Sequence, residues 1–323
     1  MAMSRRDVIA AALGTLGTGA FDLAGAQAPT FPSQPVRFII PTPPGGGHDT
    51  MMRLVGQKLT EAWGQPSVVE SKPGASGAIA ATTVAQGAAD GHTVLIGYSA
   101  LISNTVLLPK TGYRLDELRP VCMLALTPIA MGIRESLPVS TLRQYVALAK
   151  TQPGKLSYGS YGPGSGGHFV GELFNMAANL DTVHVPYKGE APALQDLLAG
   201  QIDAAFTSVG GVSRYPGKIK PLALASAKRF AGYPEVPTFA ELGYPAVDMP
   251  GWAGAFVPAK TPDAVVRKLT AELTRITMLP DVRAKLVELG FESVDWSPQK
   301  TSQFMKDQLA LVRKLVDSGR VKL

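Results

Sequence analysis

Short apolar runs alternate with amphipathic segments along most of the chain. The runs are rich in β-branched and aromatic residues and predict strands at about 36–41, 93–98, 121–125, 128–133, 156–160, 182–186, 202–207, 219–226 and 252–257. Apolar positions three and four apart predict helices at about 50–63, 76–87, 141–151, 167–178, 190–199, 262–277, 280–289 and 298–317. Strands that alternate with helices are typical of an α/β fold with mostly parallel sheets.

The first residues follow a different pattern. Arg5 and Arg6 precede an apolar stretch that is too short to span a bilayer, and Ala24-Gly25-Ala26 matches a small-residue cleavage site. We therefore expect residues 1–26 to be a signal peptide, of the general secretory or the twin-arginine type, and the mature protein to be periplasmic. The alternative is an uncleaved membrane anchor.

Composition excludes several classes of protein. The chain is 46% hydrophobic and 17% charged, which describes a globular protein. The formal net charge is +6, but the basic residues are scattered without interleaved aromatic residues, so nucleic acid is not an expected partner. The single cysteine, Cys122, lies in an apolar run and is expected to be buried. The four histidines lack metal-ligand spacing, so we expect neither a metal nor another cofactor.

The segment Pro44-Gly45-Gly46-Gly47-His48-Asp49 lies between a predicted strand and a predicted helix. Glycines leave main-chain N–H groups accessible, and a helix start adds unpaired donors and a positive dipole end. This combination suits a carboxylate or a phosphate. Asp49 or Thr50 is the expected N-cap. A tight turn that binds nothing is the alternative.

A second glycine-rich turn covers residues 159–168. Gly162, Gly164 and Gly167 match the spacing of a dinucleotide-binding loop, but no acidic residue ends the next predicted strand, so a dinucleotide is not expected. Ser165 and His168 lie three residues apart and raise the alternative of an exported hydrolase. No G-x-S-x-G motif surrounds Ser165, which suits an N-cap better.

In this order, several motifs resemble the Bug family of extracytoplasmic solute receptors, the binding proteins of tripartite tricarboxylate transporters. They include Pro44–Asp49, Ser160–His168, Val185-Pro186-Tyr187-Lys188-Gly189 and Gly200-Gln201-Ile202-Asp203. The resemblance implies a two-lobed type II periplasmic binding protein with two mixed, mostly parallel sheets and a two-strand hinge. It implies a first domain of residues 29–125 plus 228–323 and a second domain of residues 126–227.

The same resemblance implies a receptor that binds a small carboxylate in the interdomain cleft and delivers it to membrane transporter subunits. It implies a monomer that is not an enzyme. A ligand sensor for a signalling partner is a further alternative. The candidate ligand-binding residues are Thr42, Gly45, Gly46, Gly47, His48, Asp49, Ser76, Gly77, Tyr98, Ser99, Ser160, Gly162, Ser165, His168, Lys188 and Asp203. Thr42 departs from the family, which usually has an aromatic residue and an alanine before this turn.

Overall fold

Two mixed β-sheets organise the chain in a computed structural model, which describes residues 31–321. The predicted signal peptide lies outside the described residues. In chain order the strands are β1 (Val36–Ile40), β2 (Ser67–Ser71), β3 (Thr93–Gly97), β4 (Leu118–Thr127), β5 (Ile129–Arg134), β6 (Ser157–Ser160), β7 (Val183–Pro186), β8 (Ala204–Ser208), β9 (Ile219–Ala225), β10 (Gly251–Pro258) and β11 (Glu292–Trp296).

Helices alternate with these strands, as the apolar periodicity predicts. They are α1 (Gly47–Trp63), α2 (Ala78–Ala85), α3 (Ala100–Leu107), α4 (Leu142–Thr151), α5 (Gly166–Ala178), α6 (Glu190–Leu198), α7 (Val209–Val212), α8 (Asp263–Thr277), α9 (Pro280–Glu288) and α10 (Pro298–Asp317). The expected elements are present, but the prediction missed β2, β11, α3 and α7. Among the described residues, no helix is long and apolar enough to cross a membrane.

Each sheet forms the centre of one lobe. The six-stranded sheet has the order β11-β4-β10-β3-β1-β2, and the five-stranded sheet has the order β7-β6-β8-β5-β9. Parallel pairing joins β2, β1 and β3 in the first sheet and β7, β6 and β8 in the second. The two-lobed α/β fold with mixed sheets is confirmed.

Parallel pairs are not the majority, however, because the strands near the hinge are antiparallel. The chain leaves the first lobe along β4 and returns along β10, so these two strands run in opposite directions. Thr127 at the end of β4 pairs with Gly251 at the start of β10. The two crossings between the lobes therefore lie side by side.

The segment between β9 and β10 belongs with the second lobe. Phe239, Val247 and Met249 are buried in the core beneath the five-stranded sheet, together with Phe169 and Phe206. The expected division of the chain assigned residues 228–323 to the first domain. Packing places residues 230–249 in the other lobe, because the chain crosses back only at residues 250–251.

Helix α10 packs on both lobes. Met305 contributes to a core cluster of the six-stranded sheet, whereas Val312 and Leu315 lie in the core of the second lobe. The helix therefore ties the lobes together beside the strand crossings, where Phe304 and Gln308 line a cavity together with Leu126, Pro128 and Pro250. Cys122 is buried in β4, as expected, and burial raises the pKa of its thiol to about 12.

The packing of residues 230–249 predicts a large cost for Phe239→Ala. Phe239 is fully buried, and deletion of a buried phenylalanine ring destabilises a fold by about 3–5 kcal/mol. Urea unfolding measures this change. Leu242→Ala is the matched control, because Leu242 lies in the same segment but is 38% exposed. Equal effects of the two substitutions would contradict the packing described here.

Candidate functional site

Helix starts from both lobes line the junction between the sheets. In the first lobe, α1, α2 and α3 follow β1, β2 and β3, and in the second lobe, α5, α6 and α7 follow β6, β7 and β8. The strands within each group are parallel, so their carboxyl ends lie at one edge of the sheet. Ligands of open α/β sheets bind at this edge, where helix N-termini present unpaired N–H groups.

The first glycine turn enters its helix earlier than predicted. Gly46 is the N-cap of α1 and has no side-chain capping bond. Asp49 and Thr50 are therefore not caps, because both lie inside the first turn of the helix. The Asp49 carboxylate accepts hydrogen bonds from the Gly45 N–H at 3.0 Å and from Arg53 at 2.9 Å. The hydrogen bond from Arg53 is the main reason why the pKa of Asp49 is lowered.

The Gly45 amide, one of the predicted ligand contacts, thus already has an acceptor. The N–H groups of Gly46 and Gly47 differ, because no hydrogen-bond acceptor within residues 31–321 faces them. Polar atoms near this turn are also unsatisfied: Thr42 Oγ1, His48 Nε2 and Asp49 Oδ1 are buried without a partner among the described residues. Buried polar groups normally have hydrogen-bond partners, so a ligand or water is expected here.

The second glycine turn rests on two stacked imidazoles. The rings of His168 and His184 lie 3.8 Å apart, nearly parallel. His168 Nδ1 accepts a hydrogen bond from the Gly164 N–H at 3.1 Å, and His184 Nε2 lies 2.8 Å from the Ser160 hydroxyl. Burial lowers the pKa of His168 to about 3 and that of His184 to about 4, so both rings are neutral at pH 7. His168 and Ser160 therefore support the turn from beneath.

The Gly166 amide of this turn remains available. The Gly162 N–H donates to Ser160 Oγ at 3.3 Å, and the Ser165 N–H donates to the Gly162 carbonyl at 3.2 Å. Ser165 Oγ caps α5 by accepting the His168 N–H, as predicted. The Gly166 amide has no hydrogen-bond acceptor in the described part of the chain. The amides of Gly162 and Ser165 already have acceptors within the turn, and their role in ligand binding stays a prediction.

The second glycine turn faces the opposite lobe at short range. A β-carbon built on Gly164 would lie 2.3 Å from Leu107 Cδ1, and one built on Gly166 would lie 3.6 Å from Ser99 Oγ. At a second contact, a β-carbon on Gly210 would lie 2.5 Å from the Leu289 carbonyl oxygen. The lobes are closed on one another, and glycine is required where their backbones meet.

Tyr98 and Ser99 lie between the two turns. The Tyr98 ring is 5.9 Å from the His48 ring of the first turn, measured between centroids. Its hydroxyl donates to the Ser76 carbonyl at 3.2 Å, and a β-carbon on Gly77 would lie 3.3 Å from its ring. Ser76 and Gly77 thus precede α2 at the same edge. Burial raises the pKa of Tyr98 to about 12.

The structure contradicts the prediction for Asp203. Asp203 precedes β8 at the amino end of the parallel strands, opposite to the helix starts. It pairs with Arg134 at 2.9 Å and accepts the Ser157 N–H at 2.9 Å. Its charge is therefore used within the second lobe, far from the cleft. Lys188 is exposed after β7, and its role in ligand binding stays a prediction.

The geometry opposes a hydrolase based on Ser165 and His168. The Ser165 hydroxyl contacts the main-chain N–H of His168, whereas the His168 ring accepts a bond from Gly164. The serine thus has no base that could activate it. Within residues 31–321, no cluster of His, Cys, Asp or Glu could hold a metal ion.

Two side chains in this region escaped the sequence analysis. Tyr161 projects from the second turn, with its hydroxyl 2.7 Å from the position of a β-carbon on Gly166. Glu190 begins α6 and accepts the Ser208 N–H at 2.7 Å. Burial is the main reason why the pKa of each group is raised. No sequence motif identified either residue, although an acidic residue directly after the Lys188-Gly189 pair was a visible signal.

Comparison with known proteins identifies the family. The model of the tripartite tricarboxylate transporter family receptor, TctC, matches residues 51–320. The chain belongs to this family.

Solved structures of TctC relatives cover nearly the whole chain. A protein of R. palustris, solved with adipate, is 31% identical with a TM-score of 0.82, over 90% of this chain and 99% of that chain. MatC from Rhodopseudomonas palustris, solved with bound malate, is 31% identical with a TM-score of 0.77; the match covers 88% of this chain and 100% of MatC. The periplasmic binding protein BugD is 27% identical with a TM-score of 0.78; the match covers 91% of this chain and 100% of BugD. These proteins are binding proteins, which confirms that the TctC chain is not an enzyme.

The buried histidines predict a loss of stability in acid. The pKa of His168 is about 3 in the folded protein and 6.5 when unperturbed, so the unfolded chain binds more protons between these values. Stability should therefore fall as the pH drops below about 6.5, by up to about 1.4 kcal/mol per pH unit for this ring. Above pH 6.5 His168 should contribute no slope.

His168→Asn tests this pH dependence, because an asparagine oxygen can accept the Gly164 N–H without titrating. The free energy of unfolding, measured in urea at pH 7 and pH 5, should fall less in the variant than in the original protein. An unchanged slope would show that His168 is not the titrating group.

Proposed function

We propose that this TctC-family receptor binds a small carboxylate between its lobes, through main-chain N–H groups of the two glycine turns. The observation that carries this proposal is the convergence of unpaired amides at a closed lobe interface. Gly46 and Gly47 belong to the first lobe, and Gly166 belongs to the second. All three lie at the starts of helices that follow parallel strands.

The physical chemistry of the site favours a carboxylate. Helices α1 and α5 have 17 and 13 residues, and the N-terminus of each carries the positive end of its dipole. Both begin beside the Tyr98-Ser99 pair, because the His48 ring lies 5.9 Å from the Tyr98 ring and a β-carbon on Gly166 would lie 3.6 Å from Ser99 Oγ. Hydrogen bonds from N–H groups to an ionised acceptor are stronger than those to a neutral one. The relatives solved with adipate and malate support this ligand class.

Contact with both lobes makes a ligand prefer the closed form of the receptor. A ligand that contacts Gly46 and Gly166 together is held by both lobes, so it binds the closed form better than an open form. Such a difference in affinity is what allows a ligand to shift the equilibrium towards closure. The closed surface would then be the one that membrane transporter subunits recognise.

We further propose that the receptor acts in the periplasm as a monomer and passes its ligand to a tripartite transporter. The family description and the periplasmic relative BugD support this location and this partner. The pattern of residues 1–26 supports export.

Gly46→Pro is the sharpest test of main-chain binding. The φ angle of Gly46 is −76°, close to the value of about −65° that proline imposes, so the substitution removes the N–H with little strain. Loss of one hydrogen bond to a charged group should weaken carboxylate binding about 10- to 100-fold. Isothermal titration calorimetry with a panel that includes adipate and malate measures this loss.

Gly46→Ala is the matched control. It keeps the amide, and its β-carbon would make only an ordinary contact with the Pro43 carbonyl oxygen at 3.6 Å. Its affinity should stay within about threefold of the original protein. Equal binding by the proline and alanine variants would show that the Gly46 amide does not contact the ligand.

A further inference from the structure

The Glu190 carboxylate occupies the part of the cleft wall formed by the second lobe. It starts α6 directly after Gly189, and it reaches across to the start of α7. There its Oε2 atom accepts the Ser208 N–H at 2.7 Å. A β-carbon on Gly211 would lie 2.4 Å from Oε1, so the absence of a side chain at this glycine makes room for the carboxylate.

This carboxylate lies next to the surface where the lobes meet. Gly210, the neighbour of Gly211, is in contact with Leu289 and Gly290 of the first lobe. Glu190 remains half-buried rather than sealed in the core. Its negative charge also acts on Tyr161, whose hydroxyl adjoins Gly166. The glutamate and the available Gly166 amide therefore belong to one wall.

No cation neutralises Glu190 directly. Within residues 31–321 it forms no salt bridge, and Arg214 acts on it only through its charge at longer range. The carboxylate also takes up the Ser208 N–H, a donor that an anionic ligand group would otherwise find. This part of the wall is thus acidic, whereas the glycine turns are rich in donors.

An acidic side chain beside the donor-rich second turn has a direct chemical consequence. A second carboxylate of the ligand would meet the like charge of Glu190 and would lack the Ser208 amide. An ammonium group would meet an opposite charge and an acceptor. Charge-assisted hydrogen bonds of this kind are strong when they are shielded from water.

We propose that Glu190 selects a ligand that carries an ammonium group as well as a carboxylate, in preference to a dicarboxylate of the same length. This inference rests on the proposed function, since the turns must bind the carboxylate. It makes Glu190 a specificity-determining residue of the same cleft. The expected ligand is an amino acid, unlike the adipate and malate of the relatives.

Matched pairs of ligands test the inference on the full chain. Succinate and β-alanine, glutarate and 4-aminobutyrate, and adipate and 5-aminopentanoate differ by the exchange of one carboxylate for an ammonium group on the same carbon. Malate and aspartate extend the panel. Isothermal titration calorimetry should show that an aminocarboxylate binds at least tenfold more tightly than its dicarboxylate counterpart. Glu190→Gln, which keeps an oxygen acceptor for Ser208, should reduce that ratio at least tenfold.

Glu235→Gln is the control, because it removes the same charge from an exposed position of the chain. It should leave the ratio unchanged. Dicarboxylate binding equal to or tighter than aminocarboxylate binding in the original protein would overturn the selection but leave the proposed receptor function intact. An unchanged ratio of aminocarboxylate to dicarboxylate affinity in Glu190→Gln would also overturn the selection by Glu190 and leave the receptor function intact. Failure of every acid in the panel to bind would instead overturn the receptor function, and this inference with it.

Discussion

The unpaired N–H groups at the starts of helices are the constraint on which the site depends. Such donors cannot be buried at a closed interface unless an acceptor reaches them. At the first turn Asp49 satisfies only the Gly45 amide, and at the second turn Ser160 satisfies only the Gly162 amide. The amides of Gly46, Gly47 and Gly166 have no acceptor among residues 31–321. In the proposed function, a carboxylate bound between the lobes provides one.

The close approach of the lobes follows from the same backbone chemistry. Gly164, Gly210 and Gly290 lie where a side chain would collide with the opposite lobe. Two connections restrict how the lobes move relative to one another. Strands β4 and β10 cross between the sheets side by side, and α10 packs on both lobes. The lobes therefore approach one another most closely at these glycines, where side chains are absent.

Main-chain recognition leaves the choice of ligand to few side chains. The fold of this chain matches that of relatives solved with adipate and with malate, at about one-third sequence identity. A scaffold of amides can hold the carboxylate that such ligands share. In the proposed function, differences between ligands are then read by side chains such as Glu190 or Thr42.

The sequence predicted the order of most elements because their apolar runs are continuous. It missed β2 and β11, which are edge strands with three polar residues among five and no continuous apolar run. It also missed α3, a helix of only eight residues in which Ser103, Asn104 and Thr105 interrupt the apolar positions. Resemblance located the glycine turns, but it could not show which amides are free. That distinction depends on side chains such as Asp49, and the position of Glu190 depends on the packing of α6 against α7.

A crystal structure of the protein with a bound carboxylate tests the central claim most directly. The account predicts that oxygen atoms of the ligand lie about 2.7–3.2 Å from the main-chain nitrogens of Gly46 or Gly47 and of Gly166 in one closed molecule. A ligand held by side chains such as Lys188 alone, or bound outside the junction of the lobes, would contradict it.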